Sequence, residues 1–314
     1  MRPRVDLVQA ALAATAGYPP AAVAAILERP LVILSAPRSG STLLFDLLKR
    51  LPGLWTIGGE SHAIFNAFPG LRAENAAFDS GSLGAGHADP VTCERMRACF
   101  LFLLRDHTGV RYLDREPAAR PRRALLVEKT PRNALNVPFL LRVFADARFL
   151  YLHREPRGAV ASLIEAWHVG LETGRFSTFP DLPGWDRRTW CFLLPPGWRA
   201  LRGRPLAEIA AFQWRAANEA VLRSLAALPP ARWMAMRYEA LVRDPAAELR
   251  RVAAFLGIDG ADLPSPPVPL PLSPTALSLP DPGKWRRHAD ALGPLLPALE
   301  AVAARIDEAC RRCS

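Results

Sequence analysis

The stretch LVILSAPRSGST, residues 31–42, decides the reading of this chain. Leu31 to Ala36 is a short apolar run of the kind that forms a buried strand, and a helical pattern starts near Ser41 and runs to Arg50. Between them lies a turn of small residues around Gly40. Strand, small-residue turn and helix N-terminus in that order make the first unit of an α/β fold with a mainly parallel sheet. The rest of the chain repeats the rhythm. Ala124 to Glu128 and Arg148 to His153 read as further buried strands, followed by helices over Asn136 to Phe144 and Pro156 to Trp167, the second with proline at its first position. Arg232 to Met236 reads as a weaker strand, followed by a helix over Ala246 to Leu256 that stops at Gly257. The expectation is an α/β, P-loop-type three-layer fold: a central parallel sheet flanked by helices, in one domain over residues 1–314.

Three segments stand outside the rhythm. Residues 1–29 form an N-terminal helical extension. Residues 169–205, rich in Gly, Pro, Trp and Phe without a clear period, read as an insertion, and residues 258–283 as a proline-rich connection.

Composition narrows the function classes. Half of the 314 residues are hydrophobic and 22% are charged, as in a water-soluble enzyme. The apolar run Ala98 to Leu104 ends at Arg105, far short of the roughly 20 residues a bilayer span requires. Arg2 and Arg4 imitate the start of a signal peptide, but Asp6 and Gln9 interrupt it, so a cytoplasmic chain without stable membrane insertion is expected. The five cysteines (93, 99, 191, 310 and 313) are an odd number. The terminal Cys310–Cys313 pair lacks the second pair or the histidines that a zinc site needs. A net charge of +10 favours an anionic ligand, yet the basic residues are dispersed, which speaks against nucleic acid as a partner. Three of the 40 basic residues are lysines, Lys49, Lys129 and Lys284; the other 37 are arginines. In so arginine-rich a chain, each lysine raises the question of whether a compact ammonium is required at its position.

The turn itself suits an oxyanion. Backbone N–H groups at a helix start point outward, the helix dipole favours negative charge, and glycine permits close approach. The ATP and GTP loop is GxxxxGK[ST], with a lysine reaching the β/γ-phosphates. Here Ser35 stands at the first glycine and Ser41 at the lysine, and the nearest cation is Arg38. The loop therefore fits a 5′-phosphate bearing one further anionic group better than a metal-bound triphosphate.

At PRSGST the sequence resembles the PAPS-dependent sulfotransferase family, in particular the branch with tyrosylprotein and bacterial polyketide-type members. PAPS is 3′-phosphoadenosine 5′-phosphosulfate, and PAP is the product left after sulfonyl transfer. The resemblance implies that Arg38, Ser39, Gly40, Ser41 and Thr42 hold the 5′-phosphosulfate. The family's second signature, a strand ending in Arg with a helical Ser eight residues later, is matched by Arg154 and Ser162 and implies a 3′-phosphate site. An arginine at a strand's C-terminal end and a hydroxyl two turns into the next helix can meet on one phosphate. VEKTPRN at 127–133 resembles the family's central strand and implies that Lys129 lies beside the transferring sulfonyl group. RYEALVRDPAAELRRVAAFLGI at 237–258 implies a nucleotide contact through Tyr238. GKWRR at 283–287 resembles a loop that closes over the donor and includes Lys284. Lys49 ends a helix, where a cation is favourable on its own account.

The resemblance also implies a catalytic base for the acceptor hydroxyl. GGESHAIF at 58–65 offers Glu60, with His62 as the alternative. The phenol- and steroid-type members use a histidine two residues after the central lysine, and here that position is Pro131. Arg38 and Lys129 would stabilise charge on the sulfonyl oxygens, with no metal required. Two rivals stay open at this level: a P-loop kinase acting on a nucleotide or small molecule, and a non-catalytic nucleotide-binding protein. The acceptor is expected to be a small or lipid-like hydroxyl compound. The aromatics of 169–205 (Phe176, Phe179, Trp185, Trp190, Phe192 and Trp198) would form its wall, although a satellite core beneath a long connection explains them equally well.

Overall fold

The computed structural model describes residues 6–259, 263–279 and 281–312. Cys313 of the terminal CxxC, the first residues of the N-terminal extension and four residues of the proline-rich connection lie outside the described residues. Two helices, α1 (Leu7–Ala14) and α2 (Pro20–Ile26), precede β1 (Leu31–Leu34), and α3 (Ser41–Leu48) follows it. The chain then passes through β2 (Leu54–Trp55), α4 (His62–Asn66) and α5 (Pro90–Leu103) to β3 (Leu125–Lys129), α6 (Val137–Val143) and β4 (Arg148–His153). Next come α7 (Pro156–Thr173), an antiparallel hairpin of β5 (Ser177–Pro180) and β6 (Thr189–Cys191), and α8 (Leu206–Leu225). The last elements are β7 (Trp233–Arg237), α9 (Tyr238–Arg243), α10 (Pro245–Leu256), α11 (Ala289–Leu292) and α12 (Leu296–Arg311).

The main sheet has the order β2-β3-β1-β4-β7 and every pairing in it is parallel. Alternation along the strands builds the two outer layers. Leu31, Ile33, Val127, Leu150 and Leu152 pack with α3 and α10, while Val32, Leu34, Leu126, Phe149 and Tyr151 pack with α5, α6, α7 and α8. Both faces are buried, so the strands read as continuous apolar runs. Because β1 lies at the centre, the turn after it opens at the C-terminal edge of the sheet. The turns after β3 and β4 flank it there, where open parallel sheets place their ligands.

Local chemistry sets the helix boundaries. Asp6 caps α1 by accepting from the N–H groups of Val8 and Gln9. Glu155 does the same for α7 through Arg157 and Gly158, with Pro156 at its first position. Helix α7 runs on to Thr173, beyond the expected end at Trp167, because its stop is Gly174 in the left-handed region. Gly170 within it is a packing residue: a Cβ there would lie 2.4 Å from Cys191 Sγ. No described helix is long and apolar enough to cross a membrane.

His153, at the end of β4, is buried beside Tyr151 and lies 3.6 Å from Cys310 Sγ. Burial, with the Arg237 charge next to it, holds its imidazole down at about 4. The unfolded chain therefore takes up a proton near pH 6.5 that the folded chain refuses until about 4, so stability falls as pH drops through that window. Glu60 and Asp106, each held at about 2, lose their contributions only below the ordinary carboxylate range. Between pH 7.5 and 5.0 the folded state should lose roughly 2 kcal/mol through His153. Thermal unfolding at the two pH values checks this, and His153→Met should flatten the difference.

Candidate active site

The loop after β1 is built for close approach. Arg38 and Gly40 both have left-handed backbones, with φ of 66° and 92°. Gly40 caps α3 without any side-chain hydrogen bond, so the first N–H groups of that helix stay open. Glycine is required at position 40 twice over. Its φ disfavours a side chain, and a Cβ there would lie 2.3 Å from Cδ2 of Tyr238. Among the described residues the buried hydroxyls of Ser35 and Ser39 have no hydrogen-bond partner.

The expected site residues assemble into two groups across the mouth of the sheet. On the β4 side, Arg38 Nε donates to Ser162 Oγ at 3.3 Å, and Arg154 Nη1 donates to the Arg38 carbonyl at 3.1 Å. The Arg154 guanidinium lies 4.6 Å from the Tyr238 ring centroid. Burial, then the charges of Arg154 and Arg175, lowers Arg38 to about 10, which leaves it charged at neutral pH. Its Nη1 donates to the Thr275 carbonyl at 2.8 Å, tying the proline-rich connection to the loop. Lys284 donates to Ser278 at 2.7 Å and pairs with Glu165, one turn beyond Ser162 on α7. It lines the same cavity and, among the described residues, makes no hydrogen bond to residues 38–42.

On the β3 side, Lys129 is nearly buried. Its Nζ donates to Glu60 Oε1 at 2.5 Å and to Thr42 Oγ1 at 3.2 Å. His62 Nε2 lies 2.7 Å from the other Glu60 oxygen. Burial alone would push the Glu60 carboxyl up, but the hydrogen bond from His62 and the Lys129 charge outweigh it and hold the group at about 2. The two candidate bases are thus one hydrogen-bonded unit, with Lys129 at one oxygen and His62 at the other.

Sequence reasoning missed what holds that unit in place. Glu128 is fully buried and accepts from Ser61 Oγ at 2.6 Å, Thr130 Oγ1 at 2.7 Å and Asn133 Nδ2 at 2.9 Å. Ser61 N also donates to Thr130 Oγ1 at 2.8 Å. The residue between Glu60 and His62 is therefore anchored to β3 by its backbone and its side chain. Burial raises the Glu128 carboxyl, against these hydrogen bonds.

The cavity lined by Glu60 and His62 on one side and by Arg38, Arg154 and Ser162 on the other has a volume of about 1,910 Å³. Drug-sized ligand sites span roughly 300–1,000 Å³, so there is room for two substrates. The aromatics of 169–205 divide. Trp190 and Trp198 are fully buried and pack with Trp185 and Trp167 in a satellite core, away from the cavity. Phe176, Phe179 and Phe192 line it. Phe176 and Phe192 stack at 5.3 Å, and both have left-handed backbones, a strain of roughly 1–3 kcal/mol each held by the hairpin around them. Among the described residues no cluster of His, Cys, Asp and Glu could hold a metal ion.

The sulfotransferase family model matches residues 30–262, and the chain belongs to that family. It is 28% identical over 240 residues to the nodulation protein NoeE of Sinorhizobium fredii, covering 74% of this chain and 50% of that protein. The chain thus spans about half the length of this curated relative. Among solved structures it is similar to the sulfotransferase domain from the curacin biosynthetic pathway, with 20% identity, a TM-score of 0.42 and coverage of 85% of this chain and 98% of that one. It is also similar to sulfotransferase STF1 from Mycobacterium tuberculosis, with 15% identity, a TM-score of 0.47 and coverage of 81% and 73%.

The Glu128 network yields a stability test. Glu128→Ala removes the acceptor of three buried donors, leaves the Ser61 and Thr130 hydroxyls only each other at 3.0 Å, and should cost about 3 kcal/mol. Glu128→Gln keeps one carbonyl acceptor and should cost clearly less. Denaturant unfolding of both variants measures the difference.

Proposed function

We propose that the protein transfers a sulfonyl group from PAPS to a hydroxyl of a second substrate. The observation that carries this reading is the meeting of Arg154 and Ser162 with Arg38 on one cavity wall, at 3.1 and 3.3 Å. A nucleotide bearing both a 3′-phosphate and a 5′-phosphosulfate has anionic groups to match the two halves of that cluster. A kinase would need a cation at the position of Ser41 to reach a triphosphate, and Ser41 supplies none.

In the proposed reaction the acceptor oxygen attacks sulfur, the sulfur–oxygen bond to the 5′-phosphate breaks, and the hydroxyl proton passes to Glu60. Arg38, Lys129 and the open N–H groups at the start of α3 stabilise charge on the sulfonyl oxygens and the leaving phosphate. Lys129 links the two events. While its ammonium sits on Glu60, the carboxylate is a poor base. Turning toward the sulfonyl oxygens removes that hydrogen bond and raises the basicity of Glu60 as the electrophile becomes activated. His62 keeps the second carboxylate oxygen oriented. Phe176, Phe179 and Phe192 offer an apolar wall, which favours a small or lipid-like hydroxyl compound as acceptor.

Donor identity is tested by thermal shift. PAP should raise the melting temperature well above the effect of 5′-AMP, and Arg154→Ala should remove most of the difference, worth roughly 1.5–3 kcal/mol. Equal shifts from PAP and 5′-AMP in the wild-type protein would sink the assignment.

The base is tested separately by turnover with PAPS across a library of hydroxyl compounds. Glu60→Gln should abolish turnover while PAP binding persists, because the amide keeps the shape and loses the basicity. An inactive His62→Ala beside an active Glu60→Gln would hand the role to His62.

A further inference from the structure

Five Arg and Lys side chains line the cavity: Arg38, Arg72, Arg132, Arg154 and Lys284. Four already have partners. Arg38 holds Ser162 and Thr275, Arg72 the Asn66 carbonyl, Arg154 the Arg38 carbonyl and the Tyr238 ring, and Lys284 holds Glu165 and Ser278. Arg132 is half-buried and, among the described residues, has neither a hydrogen bond nor an ion pair. It stands in the turn after β3, between Pro131 and Asn133, and Asn133 is tied to the buried Glu128. Its backbone is therefore held while its guanidinium is left to the cavity.

Position separates Arg132 from the donor cluster. In the sheet, β3 and β4 lie on opposite sides of β1. Arg154 follows β4, whereas Arg132 follows β3 together with Lys129, and the charge of Glu60 acts on it. Phe65, Leu83, Phe179 and Phe192 are among the apolar side chains that line the same cavity. A neutral apolar acceptor filling this space would strip water from Arg132 and strand its charge, which is strongly unfavourable.

Resting on the sulfonyl-transfer reading, we infer that Arg132 binds an oxyanion carried by the acceptor, a carboxylate or phosphate monoester on the same molecule as the hydroxyl. The acceptor class is then an amphiphilic hydroxy acid: an apolar body against the phenylalanines, a hydroxyl at Glu60 and an anionic group on the guanidinium. Arginine suits this task through its planar, two-pronged donor geometry.

The experiment measures binding by calorimetry to the full chain, with and without saturating PAP. The probes are 12-hydroxydodecanoate and 4-hydroxyphenylacetate, each beside its methyl ester, and 12-hydroxydodecyl phosphate beside 1,12-dodecanediol. In at least one set the anion should bind roughly ten- to hundredfold tighter than its neutral partner. The set that shows the gap distinguishes carboxylate from phosphate. Arg132→Gln should erase that gap without changing PAP affinity, and Arg132→Lys should restore part of it. The inference is overturned if no set prefers the anion, if the preference survives Arg132→Gln, or if that variant weakens PAP binding by the same factor. Failure of the wild-type protein to bind PAP would instead remove the donor reading, and the nucleotide-free measurements would still judge Arg132.

Discussion

Two consecutive charged residues at the end of β3 point to opposite faces of the sheet, and the site depends on that alternation. Glu128 shares the face of Leu126 and receives Ser61, Thr130 and Asn133; Lys129 shares the face of Val127 and reaches Thr42 and Phe45 on α3. Neither charge could be buried alone, since an unpaired buried ion costs several kcal/mol. Each is satisfied by the same short segment, Glu60–Ser61, approaching from across the strand. A one-residue slip of β3 against β1 would exchange the two faces and abolish both sets of contacts. The parallel register Ile33↔Lys129 thus sets the sheet and the charge centre together.

The side proposed to hold the donor follows another logic. Its cations are held before any ligand arrives, and their partners are weaker acceptors than a phosphate: the carbonyls of Arg38 and Thr275 and the hydroxyl of Ser162. In the proposed reading, an anionic ligand replaces these hydrogen bonds with a stronger, charge-assisted set. The Arg38–Thr275 hydrogen bond also ties the proline-rich connection to the loop after β1.

The legible parts of the sequence were those with a repeating signal. β4 begins and ends at the expected residues, β1 ends two residues early, β3 is shifted by one residue at both ends, and α10 is capped at Gly257 as its glycine foretold. The hairpin at 177–191 was not legible. Its two strands are short and joined through a register irregularity; β6 is buried among tryptophans while β5 is only partly covered, so neither shows a polar and apolar alternation. The motifs at 37–42, 154–162 and 127–133 placed Arg38, Arg154, Ser162 and Lys129, and all four line up at the mouth of the sheet. The Glu128 network left no such trace. Its members are spread over residues 61 to 136, and small polar residues brought together by tertiary contact have no period to read. Arg132 sat inside a recognised motif, yet only the absence of a partner sets it apart, and partners are visible only in three dimensions.

Arginine's dominance over lysine acquires a physical meaning at Lys129. Its Nζ serves two acceptors from different segments, Glu60 and Thr42, from a strand end packed against Phe45. A guanidinium has a larger planar head and needs room on both sides of its plane, which the burial at this position denies. An ammonium on a flexible stem can pivot between acceptors through single-bond rotations without repacking its neighbours. Lys49 and Lys284 make no comparable demand: one pairs with Asp46 at a helix end and the other reaches Glu165 from a partly exposed turn. The distinction among the three lysines is therefore one of confinement, and it singles out the lysine whose charge must move during the proposed transfer.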